Sequence, residues 1–185
     1  MKAPLSLKGR AIALLAQREH SESELRRKLL RWARDEPLGA AATATAKHGG
    51  SDADADADVD ADAAVARAAS RVDALVVWLR EHDYLSETRF VDSRVHARAA
   101  RYGNLRIRHE LAQHGLALPA DTAQTLKDTE LQRAAEVWRR KFGAAPATPA
   151  ERGRQARFLA ARGFSGEVIA RVLRLAGSTE SADVD

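Results

Sequence analysis

The chain has 185 residues, no cysteine and a formal net charge of +4. Without cysteine, a disulfide framework, a thiol nucleophile and a thiolate metal site are excluded. The first residues lack the apolar run of a signal peptide, and no stretch approaches the roughly 18 apolar residues that cross a membrane, so we expect a cytoplasmic protein.

The helical part of the sequence is more basic than the net charge indicates. Residues 38–64 contain six Asp and one Lys, and residues 178–185 contain three acids. Without these two segments, 29 basic residues remain against 17 acidic ones. Such a surplus favours a polyanion or an acidic protein groove as the partner, and the alternative is a solvated surface of cations.

Three helices are predicted in a first repeat over residues 1–85. Ser6 is placed to cap the first helix, and Ser21 with Glu24 forms a capping box for the second. Residues 38–64 contain the run SDADADADVDADA, whose alternating Ala and Asp offer no apolar face, so a disordered insertion is predicted over this segment. The third helix follows this insertion and has apolar positions at Val72, Leu75, Val76 and Leu79.

A second group of three helices is predicted over residues 86–127. Its first helix begins at Ser86, its second is capped by Asn104, and Pro119 fits the first turn of a short third helix ending near Leu126. No segment in this region alternates polar and apolar residues as a strand would.

The third group is predicted over residues 128–177. Its central helix has an N-cap, a first-turn proline and a capping-box glutamate at Thr148, Pro149 and Glu151. Ser165 is placed to cap the last helix, and the acidic residues from 178 to 185 are predicted to form a disordered tail.

The last two groups repeat with a period of 48 residues. The matched pairs are Phe90 and Trp138, Arg106 and Arg154, Leu111 and Leu159, and Gly115 and Gly163. Gln155 stands where the earlier copy has Ile107, so we expect the third repeat to pack differently. Periods of this size are typical of repeat proteins, in which each unit contacts mainly its neighbours. The sequence therefore predicts an all-α protein of nine helices, arranged as three tandem three-helix repeats in an elongated, curved helical array.

Basic residues recur at helical spacing in all three repeats and form our candidate contact surface. A single stripe of this kind is more often a solvated face, but stripes in successive repeats favour a continuous basic surface for an anionic partner. The predicted partner-binding or DNA-binding residues are Arg27, Arg31, Arg34, Arg94, Arg98, Arg101, Arg106, Arg108, Arg139, Arg140, Lys141, Arg154, Arg157 and Arg162.

Catalytic and metal-binding motifs find little support. The segment HELAQH resembles a zinc-protease motif, but His109 and His114 are five residues apart and cannot share a ligand face of a helix. We therefore predict that the protein is not an enzyme and has neither a metal nor a cofactor. The tryptophans and phenylalanines fall on apolar stripes, so core packing is predicted for them. Tyr102 lies beside a basic stripe and stays open as a base-stacking residue.

Several stretches of the chain resemble the RecX regulatory proteins. They are ALLAQREHSESELRRKL, WLREHDYLSETRFVDSRVHARAARYGNLRIRHEL, and VWRRKFG followed by RQARFLAARGFSGEVIARVL. The resemblance extends from about Leu7 to Ala176 and lacks only the insertion and the tail. It implies three tandem three-helix repeats, in agreement with the periodicity.

The resemblance also implies a function. Proteins of the RecX family modulate the RecA recombinase by lying in the groove of the RecA–DNA filament, blocking its activities and favouring its disassembly. We therefore expect a monomer that binds the RecA filament, with possible contact to the DNA phosphate backbone. The alternative is a stand-alone, nonspecific nucleic-acid-binding protein.

Overall fold

The computed structural model describes residues 5–35 and 53–180, and these residues form eight α-helices with no strand. The helices are α1 (Leu7–Leu15), α2 (Glu22–Asp35), α3 (Ala53–Glu81), α4 (Glu87–Ala99), α5 (Asn104–Ala112), α6 (Ala120–Lys141), α7 (Pro149–Ala161) and α8 (Gly166–Glu180). This architecture confirms the prediction of an all-α fold.

Most of the predicted N-caps are present as hydrogen bonds. The backbone N–H of Gly9 donates to the Ser6 hydroxyl, and that of Glu24 donates to the Ser21 hydroxyl, both over 3.2 Å. Thr148 caps α7 in the same way. These side chains satisfy N–H groups that the first turn of a helix leaves without a partner, so the helix starts were readable from the sequence.

The start of α3 corrects the predicted insertion. This helix begins at Ala53, so residues 53–64 are helical rather than disordered, while residues 38–52 of the predicted insertion lie outside the described part of the chain. Ala has the highest helix propensity of all residues, and acidic residues are favourable near a helix N-terminus. These two preferences outweigh the lack of an apolar face. At the other end, α8 runs to Glu180, past the predicted start of the tail at residue 178.

The central helix α6 corrects the helix count. The predicted sixth and seventh helices are one continuous helix, Ala120–Lys141, which gives eight helices in the described residues instead of nine. No Gly or Pro interrupts this stretch, and its polar residues are compatible with a helix. The predicted boundary between the second and third repeats, at residues 127 and 128, therefore lies inside α6.

The chain divides into two compact units, Met1–Phe90 and Val91–Asp185, called unit 1 and unit 2 below. The core of unit 1 is formed mainly by Leu7, Ala11, Leu25, Leu29, Val72, Val76 and Leu79. The core of unit 2 includes Ala134, Trp138, Leu159, Phe164, Ile169, Val172 and Leu173. Each unit thus buries the apolar stripes of several helices, as a single short helix pair cannot.

The polar residue in the third repeat has a local explanation. Gln155 is buried, and its Oε1 atom accepts a hydrogen bond of 2.7 Å from the indole Nε1 of Trp138. The residues 48 positions earlier are Phe90 and Ile107, which have no polar side-chain atoms. The change from Phe to Trp introduces a buried N–H that needs an acceptor, and the change from Ile to Gln supplies it.

Candidate functional site

Two loops of unit 2 meet through their backbones. The N–H of Gly103, between α4 and α5, donates to the carbonyl of Arg162 over 2.9 Å. The N–H of Leu105 donates to the carbonyl of Gly163 over 3.1 Å. These bonds fix the start of α5 against the turn between α7 and α8, and we call this contact the backbone joint.

Glycine is required on both sides of the backbone joint. A Cβ atom at Gly103 would overlap the carbonyl group of Gly163. Gly163 has a φ of +80°, and a Cβ atom there would lie 2.5 Å from the backbone nitrogen of Arg106. The close approach therefore depends on the missing side chains, and at Gly163 also on the left-handed backbone conformation.

A partly buried arginine on α6 also forms hydrogen bonds with the loop that contains Gly103. Arg133 donates hydrogen bonds to the carbonyl groups of Ala99, Tyr102 and Leu126 and to the side-chain oxygen of Asn104, over 2.6 to 3.0 Å. Burial lowers the pKa of the Arg133 guanidinium, which nevertheless stays charged because free arginine titrates far above neutral pH.

The sequence predicted that Asn104 caps α5, and this prediction is wrong. The Asn104 side chain instead accepts a hydrogen bond from Arg133. The N-cap of α5 is Gly103, whose residue type offers no side-chain oxygen. Asn104 is the first helical residue, and its backbone N–H donates to the buried carboxylate of Glu130 over 3.1 Å. Glu130 therefore satisfies a helix N-terminal donor that the predicted cap would have served.

Beside the backbone joint, the surface of unit 2 forms a pocket of about 380 Å³ that we call the basic pocket. Four of its side chains carry a positive charge and none carries a negative charge. Its lining consists of Ala100, Arg101, Tyr102, Val137, Arg140, Lys141, Phe158 and Arg162. The structure thus brings together four of the predicted contact residues, from the end of α4, from α6 and from the end of α7.

The cations of the basic pocket differ in how firmly they are held. Arg140 donates to the carbonyl of Ala100 over 3.4 Å and lies 3.8 Å from the carboxylate of Glu136. The side chains of Arg101 and Lys141 are exposed and have no ion pair or hydrogen bond with any described residue. These two charges are the most available to an external anion, because no internal carboxylate neutralises them.

Aromatic rings lie among these charges. The guanidinium of Arg162 lies 3.7 Å from the ring centroid of Phe158, within the range of a cation–π contact. Tyr102 is half-buried, with the guanidinium groups of Arg106 and Arg98 at 5.2 and 5.7 Å from its ring. The basic pocket therefore combines positive charge with planar groups, as binding sites for nucleotides do.

The predicted stripe on α4 is not a uniform row of open charges. Arg98 is half-buried and forms an ion pair of 2.9 Å with Glu110 of α5. Arg94 is half-buried as well and has an interaction partner. Arg101 lies beyond the end of α4 and is the member of this stripe that lines the basic pocket.

The other predicted residues of unit 2 lie outside the basic pocket. Arg108 borders a separate groove between α5, α6 and α8, which also contains the acids Asp128 and Glu167. Arg106 is exposed and reaches the pocket only through Tyr102. Three further predicted contact residues are exposed on α6 and α7, namely Arg139, Arg154 and Arg157.

The predicted contact residues of unit 1 lie on α2. Arg27 and Arg31 are exposed and line a depression of about 390 Å³ together with Leu30 and the ion-paired Arg26. Arg34 belongs to α2, but its side chain lies outside the described part of the chain. The two described arginines are therefore accessible to solvent.

Unit 1 also buries a cluster of ionisable groups at the start of α2. The Glu24 carboxylate accepts hydrogen bonds from Arg18 over 2.5 and 3.1 Å, and Lys28 lies 3.2 Å from it. Burial alone would raise the pKa of Glu24, but the bonds from Arg18 and Lys28 outweigh burial and lower it to about 2.

His20 completes this cluster as a neutral ring. It is almost fully buried, and its Nδ1 atom lies 2.9 Å from the carbonyl of Arg18, which assigns the proton to Nδ1. Its Nε2 atom accepts from Lys28 over 3.1 Å. Burial is the largest reason why the pKa of His20 is lowered from 6.5.

Comparison with known proteins connects this geometry to a family. A family model described as the third three-helix domain of RecX matches residues 128–173. A protein named Regulatory protein RecX from Leptothrix cholodnii is 41% identical over 97% of this chain and 94% of its own length. The chain belongs to the RecX family.

Two further relatives of the same name extend this finding. The protein from Ralstonia nicotianae is 39% identical over 94% of this chain and 89% of its own length. The protein from Pseudomonas entomophila is 37% identical over 94% of this chain and 93% of its own length. The matches thus span the two units, and they bear out the resemblance seen in the sequence. The RecX family is a family of regulatory proteins.

Two other kinds of site were sought in this RecX-family protein. Within residues 5–35 and 53–180, no helix is long and apolar enough to span a membrane. The same residues contain no group of three or more His, Cys, Asp or Glu side chains placed to hold a metal ion.

Sequence reasoning missed the residues that organise the site. Arg133 follows no apolar stripe, so nothing distinguished it from a solvated charge. Glu130 lies four residues from both Leu126 and Ala134 on the buried stripe of α6, and this spacing was an available signal of its burial. A signal was available for the backbone joint, because Gly103 and Gly163 each follow a basic or aromatic residue at a helix boundary. Their partnership across 60 residues of sequence is a tertiary contact that a local pattern does not contain.

Proposed function

We propose that this protein binds in the groove of the RecA–DNA filament and inhibits the recombinase and ATPase activities of RecA, in DNA repair, recombination and the SOS response. The observation that carries the proposal is the identity of 37–41% to proteins named Regulatory protein RecX, over nearly their whole lengths. In this role the protein acts in the cytoplasm as a monomer and is not an enzyme.

The basic pocket is the contact that we propose for unit 2. A groove that holds DNA offers phosphate groups and acidic side chains, and both attract arginine and lysine. Arg101 and Lys141 have no described partner that an incoming anion must displace. Exposed cations of this kind contribute little to folding, so their presence is explained by an external partner better than by stability.

A pair of double variants tests this proposal. Reversing the charge of Arg101 and Lys141 to Glu should raise the concentration needed to inhibit RecA ATPase and strand exchange by about tenfold, because two attractions become repulsions. The matched control reverses Arg152 and Arg174, which are exposed in unit 2 but do not line the basic pocket. Equal inhibition by the parent and the pocket variant, with the control also unchanged, would exclude the pocket as the contact.

The second candidate function is nonspecific nucleic-acid binding without RecA. The aromatic groups in the basic pocket favour it, since Tyr102 and Phe158 lie among cations. Affinity for single-stranded DNA, measured with and without RecA, separates the two functions. A filament regulator binds much more tightly when RecA is present. A stand-alone binder has similar affinity in both cases, and that affinity falls steeply as salt rises.

A further inference from the structure

The basic pocket has the chemistry of a site for one nucleotide of a DNA strand. An acidic peptide would need only the charges, whereas a nucleotide also presents a flat base. The pocket offers planar groups for such a base, because Arg162 stacks on Phe158 and Tyr102 lies beside two guanidinium groups. Aromatic rings and arginine planes are the groups on which bases of single strands stack.

The charges are placed where the phosphate of such a nucleotide needs them. Arg101 and Tyr102 line the same pocket, so a nucleotide whose base lies on the ring has a guanidinium available to its phosphate within that pocket. Lys141 and Arg140 supply further cations from the last turn of α6. The pocket volume of about 380 Å³ lies within the range of roughly 300–1,000 Å³ found for small-ligand sites.

The walls of the pocket are positioned before any ligand arrives. The backbone joint links Gly103, the residue after Tyr102, to Arg162 over 2.9 Å. Arg133 donates a hydrogen bond of 2.9 Å to the carbonyl of Tyr102. The backbone of Tyr102, the proposed base contact, is therefore tied to this joint, which lowers the ordering cost of binding.

We propose that the basic pocket of unit 2 binds one nucleotide of single-stranded DNA, with the phosphate among Arg101, Arg140 and Lys141 and the base stacked at Tyr102. The inference rests on the proposed function, because the filament supplies the strand. The inference goes beyond the proposed function because it assigns this pocket to the DNA rather than to the RecA protein.

The first test separates the base from the phosphate. Affinities for labelled oligo(dT) and for an abasic strand of equal length are measured by fluorescence anisotropy at one stated salt concentration. Tyr102→Leu should weaken oligo(dT) binding by at least about fivefold and leave the abasic strand almost unchanged, since only stacking is lost. Tyr102→Phe keeps the ring and should retain the parent's affinity for both. Equal losses on both strands, or no loss on either, would overturn the base contact.

The second test addresses the phosphate. Replacing Arg101 and Lys141 by Ala should reduce the slope of log affinity against log salt by about 1.4, since each contact to a single strand contributes about 0.7. The variant Glu136→Gln removes the carboxylate that competes for Arg140, and it should raise affinity about twofold. The control Arg174→Ala should change neither quantity. An unchanged slope in the double variant would overturn the assignment.

Two further arms identify the source of the nucleotide and keep the two proposals apart. Competition by free ATP at the concentration that a strand needs would assign the pocket to free nucleotides and overturn the assignment to DNA. Loss of RecA inhibition in Tyr102→Leu without loss of oligo(dT) binding would place the pocket against RecA protein, so the proposed function would stand and this inference would fail. Loss of oligo(dT) binding with intact RecA inhibition would support the nucleotide site and leave the filament contact to another surface.

Discussion

The buried polar clusters of the two units have central groups of opposite charge. In unit 1 a carboxylate lies at the centre, and Glu24 is surrounded by Arg18, Lys28 and His20. In unit 2 a guanidinium lies at the centre, and Arg133 is surrounded by backbone carbonyl groups and the side chain of Asn104. We call these the Glu24 cluster and the Arg133 cluster.

This difference decides how each unit responds to its surroundings. The Glu24 cluster contains two titratable groups, Glu24 and His20, whose pKa values are lowered from their ordinary values of 4.5 and 6.5. The Arg133 cluster depends on a guanidinium that does not lose its proton in a folded protein and on acceptors that do not titrate. Unit 1 should therefore lose stability in acid through its cluster, while the joint that shapes the basic pocket should be largely insensitive to pH.

The largest effect is expected from breaking the Arg133 cluster. Replacing Arg133 by Met keeps much of the side-chain volume but removes the donor to five oxygen acceptors, the hydroxyl of Thr129 included. It also removes a cation that attracts the buried Glu130 carboxylate. We expect the free energy of unfolding to fall by about 3–5 kcal/mol, because breaking one side of a buried polar network leaves the other side unpaired.

Urea unfolding followed by circular dichroism measures this loss. The matched control is Arg139→Met, an exposed arginine on the same helix, for which a change below about 0.5 kcal/mol is expected. A loss similar to that of the control would mean that the surrounding oxygen atoms find water, and that the Arg133 cluster is not what holds the joint.

A second variant breaks the same joint without touching a charge. Gly163→Ala requires a Cβ atom in the left-handed region, at φ +80°, and within 2.5 Å of the backbone of Arg106. Gly115→Ala has nearly the same backbone strain, at φ +78°, but nothing within 4 Å of its Cβ. We expect losses in the free energy of unfolding of about 1 kcal/mol at Gly115 and about 2–4 kcal/mol at Gly163, where overlap adds to strain.

The difference between the two glycine variants is the quantity to measure, by thermal or urea unfolding. It removes the conformational penalty that both share and leaves the packing of the joint. Equal losses would show that the loops separate at little cost. The basic pocket would then lack the rigid frame assigned to it, although its charges would remain.

Local features of the fold were predictable because their causes are local. Ser6, Ser21 and Thr148 satisfy N–H groups three residues away, so the sequence alone contains both partners. The continuity of α6 was not recognised, because a break between the second and third repeats was expected from the periodicity, although no Gly or Pro marks one. The start of α3 was missed because disorder was predicted from the lack of an apolar face, although Ala favours helix in any context.

The candidate site was predictable only in its composition. Spacing identified Arg101, Arg140, Lys141 and Arg162 as surface cations, and the structure brings these four to one pocket. Spacing could not distinguish these four residues from Arg98, which lies on the same helical stripe as Arg101 but is paired with Glu110 of the following helix. Which charges remain available depends on tertiary contacts, and those are absent from a helical pattern.

The smallest expected effect is the acid response of the Glu24 cluster, which tests the other side of the comparison. The pKa of folded Glu24 lies at about 2, below its ordinary value of 4.5, so the unfolded state takes up the proton first as the pH falls. The stability that Glu24 contributes is therefore complete above pH 4.5 and is lost between pH 4.5 and 2. The shift corresponds to about 1–2 kcal/mol once the solvent exposure of Arg18 is allowed for.

His20 has a separate window with the same sign. Burial lowers its pKa from 6.5, so the unfolded state again binds the proton first, and stability declines as the pH falls below 6.5. Protonation of Nε2 removes the acceptor for Lys28 and places two cations side by side. His20→Gln keeps a neutral polar group and should abolish the part of the pH dependence above pH 4.5. Glu24→Gln should abolish the part below it.

Hydrogen exchange of individual amides measures the two units separately. Amides of α2 in the parent should lose protection from pH 6.5 downward. Amides of α2 in His20→Gln should lose it only below pH 4.5. Amides of α6 should have the same pH dependence in the parent and in His20→Gln. The unit 1 variants leave the Arg133 cluster intact, so any change confined to α2 assigns the acid response to the Glu24 cluster. If α6 loses protection over the same range and to the same extent as α2, the two units open together and the contrast between the clusters does not govern their stability.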